Sequence, residues 1–124
     1  MKDPTSPVCR TISTLLQRIG DKWTVLVVST LGEGPRRFNE LRREIPSVSQ
    51  RMLTLTLRNL ERDGLVSRAV TPSIPPRVDY ALTQMGHSLL TPVSALSQWA
   101  LDHVAAIHDA HARFDGEHHK AEAA

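Results

Sequence analysis

Apolar residues recur with a helical spacing through the first part of the chain. Ile12, Leu15, Leu16, Ile19 and Trp23 fall at i, i+3, i+4, i+7 and i+11, which predicts an amphipathic helix from Arg10 onward that Gly20 ends or bends. Thr24 to Leu31 is apolar on nearly every side and rich in Val, so periodicity fits a buried helix and a buried strand equally well. Gly32-Glu33-Gly34-Pro35 breaks the chain, after which Phe38, Leu41 and Ile45 recur among Arg, Asn and Glu as a short, half-exposed helix. Pro46 stops it. Ser47-Val48-Ser49-Gln50 then reads as a Ser-x-x-Gln capping box that opens a helix running to Asp63. Met52, Leu53, Leu57 and Leu60 lie on one face of that helix and are read as core, with Gln50, Arg51, Thr54 and Arg58 on the other, and Gly64 supplies a left-handed stop. Two helices joined by about four residues have helix-turn-helix spacing.

After Gly64 the period shortens to two. Val66, Arg68 and Val70 alternate with Ser67 and Ala69, and Val78, Tyr80 and Leu82 alternate with Asp79 and Ala81, which predicts a two-stranded hairpin. Its loop, Thr71-Pro72-Ser73-Ile74-Pro75-Pro76-Arg77, is long and stiffened by three prolines, so it projects as a wing beside the helix-turn-helix. Thr83 can cap a further helix, in which Thr91-Pro92 marks a kink or a fresh start. Leu89, Val93, Leu96, Ala100, His103, Ile107, Ala110 and Phe114 follow steps of four and three, a heptad-like seam. A chain this small hardly needs so long a seam for its own core. A second copy, paired across a twofold axis through this helix and the first, is the expected occupant.

The 124 residues, 40% apolar and 23% charged, suit one folded domain and exclude extended disorder and fibrous classes. The expected organisation is a flexible arm over residues 1–8, a domain over 9–114 that ends in the dimerisation helix, and a flexible tail over 115–124. Apolar runs such as Val25 to Val28 are far short of the roughly 20 residues of a membrane helix, so no membrane partner is expected. Met1-Lys2-Asp3-Pro4-Thr5-Ser6-Pro7 has no secretory pattern, and the single cysteine, Cys9, cannot close an internal disulfide; both favour a cytoplasmic protein.

The net charge of +2 conceals an asymmetry. Residues 1–81 hold 13 Lys+Arg against 8 Asp+Glu, a net of +5, whereas residues 82–124 hold 2 against 5, a net of −3. The basic half is a candidate polyanion-binding face, and all but two of its cations are Arg, whose planar fork suits phosphate and guanine edges.

Several strings in this order are similar to a known family: Cys9, Ile19-Gly20-Asp21-Lys22-Trp23-Thr24, Arg37-Phe38-Asn39-Glu40-Leu41, Leu60-Glu61-Arg62-Asp63-Gly64-Leu65-Val66, Pro76-Arg77-Val78-Asp79-Tyr80 and Leu82-Thr83. From Cys9 to Trp99 the chain resembles the HxlR-type winged helix-turn-helix transcriptional regulators, which are close to the MarR regulators. The resemblance implies a homodimer that binds operator DNA and responds to a chemical signal, and it implies that Thr24 to Leu31 is a helix. Two positions depart from the family's pattern: Arg10 follows the cysteine where proline is common, and Asp21 stands where glycine is frequent. The expected fold is mainly α with a small β-hairpin, a winged helix-turn-helix that dimerises through its N- and C-terminal helices.

On this reading the recognition helix offers Ser49, Gln50, Arg51 and Thr54 to base edges in the major groove of double-stranded DNA and Arg58 to phosphate. Arg51 and Gln50 are the best reading heads, since Arg pairs bidentately with guanine and Gln with adenine. Ser47 at the turn caps the helix or touches phosphate. Arg36 and Arg37, at the start of the preceding helix, form an anion site, although Arg37 can equally hold a structural carboxylate. Arg77 of the wing enters the minor groove or lies along the backbone. One module contacts about 600 to 1,000 Å², so operator-level affinity requires a dimer on an inverted repeat.

Cys9, placed just upstream of the first helix and beside Arg10, is the candidate redox sensor; the alternative is a small buried residue packing the helix start. The signal it would answer is an oxidant or an unidentified small molecule. His87, His103, His108, His111, His118 and His119 cluster in the acidic half, and a metal- or ligand-responsive regulator would use such a helix. A polar helix face accounts for them, and no metal or cofactor is expected. Scattered glycines, with no Gly-x-Gly-x-x-Gly or Gly-Lys-Ser string, argue against an enzyme. A winged-helix protein-interaction module without specific DNA binding is the other alternative; repression is the expected mode of the regulator.

Overall fold

The computed structural model describes residues 5–123, with side chains as far as residue 118. Residues 1–4 of the expected arm and residue 124 of the expected tail lie outside the described residues. The order is α1 (Pro7–Gly20), α2 (Lys22–Leu31), β1 (Arg36–Arg37), α3 (Phe38–Glu44), α4 (Gln50–Arg62), β2 (Val66–Thr71), β3 (Arg77–Leu82) and α5 (Gln84–Ala123). The chain divides into one compact unit up to Leu90 and another from Thr91.

Local chemistry sets the helix ends of the first unit. Ser6 caps α1, its hydroxyl accepting from the Cys9 amide at 3.1 Å, with Pro7 in the first turn. The helix therefore starts before the apolar spacing does, and Cys9 lies inside its first turn rather than upstream of it. Asp21 separates α1 from α2 and caps the latter, accepting from the Trp23 amide at 3.4 Å and the Thr24 hydroxyl at 3.3 Å. The ambiguous Val-rich segment is helical, with Val27, Val28 and Leu31 fully buried. Arg18 of α1 forms an ion pair with Asp63, the residue that ends α4.

Ser47 does not cap α4. Ser49 does, accepting from the Met52 amide at 3.1 Å, because the chain after Pro46 must first turn Val48 into the core, where its amide bonds the Ile45 carbonyl at 3.1 Å. The other end matches expectation. Gly64 has φ +76°, the Leu65 amide reaches back to the Leu60 carbonyl at 2.9 Å and the Gly64 amide to Glu61 at 3.0 Å, a Schellman stop. Thr83 caps α5, accepting from the Gly86 amide at 3.1 Å while donating to the Gly64 carbonyl at 2.6 Å. That clasp draws Gly86 so close to the β2 approach that a Cβ there would lie 2.1 Å from the Leu65 carbonyl oxygen.

The hairpin pairs Val66 with Leu82 and Val70 with Val78, so the alternation in both strands marks one shared face. Thr71 pairs with Arg77, which shortens the wing loop to residues 72–76. The sheet has a third strand that periodicity could not reveal in two residues: Arg36 pairs with Tyr80 and Arg37 with Asp79, giving the antiparallel order β1-β3-β2. Leu41, Ile45, Val48, Leu53, Leu57, Leu60, Val66 and Leu82 close around the α2 valines, flanked by Trp23, Phe38 and Tyr80.

Beyond this unit α5 runs on through Pro92 without a fresh start. Leu96, Trp99, Leu101, Val104, Ile107 and Phe114 are exposed along it. Among the described residues no helix is long and apolar enough to cross a membrane.

Candidate nucleic-acid interface

Burial of Leu53, Leu57 and Leu60 fixes the rotation of α4 and therefore what it shows to solvent. Gln50, Arg51 and Arg58 are exposed. Thr54 is half-buried and its hydroxyl donates to the Gln50 carbonyl at 2.8 Å, which leaves its oxygen able only to accept. Ser49 accepts from Met52 in capping the helix and still has an O–H to donate. Ser47 is exposed in the turn. Thr54 and Arg58 also line a concavity of about 430 Å³ with Arg68 and Tyr80 of the sheet.

Leu55 was not among the residues read as core, and unlike Leu53, Leu57 and Leu60 it is 49% exposed. Its spacing of four from Arg51 and three from Arg58 is the signal that places it on the arginine-bearing side.

The two arginines before α3 behave differently. Arg36 was expected to offer an anion site, but its guanidinium is committed to protein acceptors. It donates to Glu44 at 2.8 Å, Glu33 at 3.4 Å, and the carbonyls of Gly34 at 2.9 Å and Pro35 at 3.1 Å. The bond to Glu44 holds its pKa above the ordinary value, against a smaller opposing effect of desolvation. Arg36 is thus a clamp between the β1 approach and the end of α3. Arg37 is exposed, and the Glu40 carboxylate accepts from its backbone amide at 2.9 Å, capping α3.

Arg37, Arg43 and Arg77 meet around an open cleft of about 980 Å³ between the start of α3 and the wing. Arg77 pairs through Nε with both oxygens of Asp79, at 3.0 and 3.2 Å, which sets its direction. The wing tip is shaped by Ser73, whose hydroxyl donates to the Pro75 carbonyl at 2.8 Å, and Ile74 stands fully exposed there. Arg43, Arg68 and Ile74 were not singled out from the sequence. The Arg42-Arg43 pair was a visible charge signal, whereas the position of Arg68 beside Arg58 follows only from the sheet.

Cys9 is buried in the first turn of α1. His103 stacks on Trp99 with ring centroids 4.3 Å apart and its Nδ1 is 2.7 Å from the Trp99 carbonyl, the interaction of a side chain with its own helix. The rings of His108 and His111 are 6.5 Å apart. The His119 side chain lies outside the described residues. Among the described residues no group of three or more His, Cys, Asp or Glu is placed to hold a metal ion.

Comparison with known proteins agrees with this architecture. The model of a family described as HxlR-like helix-turn-helix matches residues 18–108. A protein of Methanothermobacter thermautotrophicus named as an HTH-type transcriptional regulator is 48% identical over 88 residues, 71% of this chain and 67% of that one. The redox regulator HypR in its reduced form has 39% identity and a TM-score of 0.73, over 80% of this chain and 98% of that one. Diamide-treated YodB of Bacillus subtilis has 33% identity and a TM-score of 0.68, over 78% and 96%.

Proposed function

The chain belongs to the HxlR-like helix-turn-helix family and is a transcriptional regulator, and from that premise we propose that it acts as a homodimeric repressor on an inverted-repeat operator, switched by oxidation or modification of Cys9. The observation that carries this reading is the solvent face of α4, where Gln50, Arg51 and Arg58 stand exposed over a buried leucine face. In the major groove Arg51 and Gln50 take base edges, with Ser49 and Thr54 beside them and Arg58 on phosphate. Arg37, Arg43 and Arg77 hold the backbone around the cleft between α3 and the wing, Ser47 touches it from the turn before α4, and Arg36 is left out because Glu44, Glu33 and two backbone carbonyls hold its guanidinium.

Dimerisation is supported by apolar side chains that one chain leaves in water. In α1 these are Val8 and Leu16, 70% and 60% exposed, and in α5 Leu96 and Phe114, 60% and 58% exposed. Repression follows from occupancy, since a dimer covering two half-sites keeps other proteins off the same DNA. The redox part is supported by the likeness to HypR and YodB, the former named a redox regulator. It is also supported by the place of Cys9 on α1, a helix tied to the end of α4 through Arg18 and Asp63.

Fluorescence anisotropy on DNA from upstream of the protein's own gene, with competitor DNA present, tests this reading. Reduced protein should bind selectively, oxidation should weaken binding by about tenfold or more, and Cys9→Ser should make it insensitive to oxidant. Selective binding that oxidation leaves unchanged would remove the Cys9 switch. Binding that is weak, salt-sensitive and indifferent to sequence would instead favour the protein-interaction module.

A further inference from the structure

Arg51, Leu55, Arg58 and Arg62 recur along α4 at steps of four, three and four and so share one stripe of its surface. Three of the four carry guanidinium groups and are exposed. The fourth is a leucine with about half its surface in water, while Leu53, Leu57 and Leu60 of the same helix are buried. Core packing does not account for Leu55. Its setting is also unlike that of Leu96, Ile107 and Phe114, the exposed apolar residues of the α5 seam: Leu55 is flanked by cations one turn before and one turn after.

That setting narrows the partner. The three arginines favour a polyanion over a hydrophobic protein face, and in the major groove of duplex DNA thymine carries the one apolar base-edge group, its 5-methyl. A leucine opposite cytosine or adenine would instead bury an exocyclic amine with no acceptor to replace its water, at a cost. We propose that Leu55 is a specificity-determining residue that reads thymine through its 5-methyl group, at a base pair next to the one addressed by Arg51. The inference rests on the assignment of α4 as the reading helix and adds a base identity to it.

The test uses duplexes selected from a random-sequence library by the reduced full-length protein. Each thymine of the recovered half-site is replaced in turn by deoxyuridine, which removes the methyl and keeps every hydrogen-bonding group. At one position of the half-site, each methyl removed should weaken wild-type binding about four-fold, the worth of one buried methyl, so that replacement in both half-sites costs about sixteen-fold. Leu55→Ala and Leu55→Ser should bind the thymine and deoxyuridine duplexes equally well, with the salt dependence of the wild type. A wild-type protein indifferent to every replacement, or a Leu55→Ala protein that keeps the full penalty, overturns the proposal. Arg51→Ala on the same duplexes separates the two levels of the reading. If Arg51→Ala loses affinity but no deoxyuridine penalty exists, Leu55 alone is misassigned; if Arg51→Ala binds like wild type, α4 is not the reading helix and both assignments fall.

Discussion

The unit up to Leu90 and the helix from Thr91 use the same kinds of apolar residue to opposite ends. In the first, Val27, Leu41, Leu53 and Leu60 have no exposed surface, and the helices, turn and sheet close on one another. In the second, Val93 at its start is buried, but the later seam residues Leu96 and Phe114 keep more than half their surface in water. Buried apolar groups stabilise the chain that contains them. Exposed ones arranged on a heptad-like seam stabilise only what covers them, which is why the core and the seam should answer differently to the same kind of substitution.

The largest contrast is expected from Leu53→Ala. Removing a side chain with no exposed surface should cost about 2 to 5 kcal/mol of unfolding free energy, read by denaturant titration. A seam substitution of similar severity, Leu96→Ser with Phe114→Ser, should leave the unfolding of the first unit nearly unchanged. It should shift sedimentation from dimer to monomer and weaken operator binding by about tenfold or more. A seam variant that stays dimeric would break the comparison. At the boundary between core and DNA face, Ser49→Ala removes the cap of α4 and should cost about 1 kcal/mol. Ser47→Ala, at the position a capping box would have used, should have little effect on stability. The smallest effect is Arg77→Ala, which should lower affinity uniformly across sequences and reduce the salt slope by about one phosphate contact, with stability unchanged.

What could be read from the sequence depended on whether a feature is local. The Gly64 stop and the Thr83 cap are single residues whose partners lie within a few positions or across one hairpin, and both appear as expected. The wing and the helix-turn-helix follow from changes of period. Strand β1 was invisible because two residues carry no period and its partners, Tyr80 and Asp79, lie more than forty residues away. The capping box failed because two serines, Ser47 and Ser49, compete, and the burial of Val48 decides between them. Charge alone could not separate Arg36 from Arg37: one is enclosed by Glu33 and Glu44, the other faces the cleft with Arg77. Leu55 shares its residue type with the buried leucines of α4, and only its spacing from Arg51 and Arg58 sets it apart.

Hydroxyl-radical footprinting of the reduced protein on a selected duplex tests most directly that two copies place two α4 helices on one operator. It should reveal two protected patches related by a dyad, their centres about one helical turn or a multiple of it apart. A single patch without a dyad, or uniform protection along the duplex, would contradict the account.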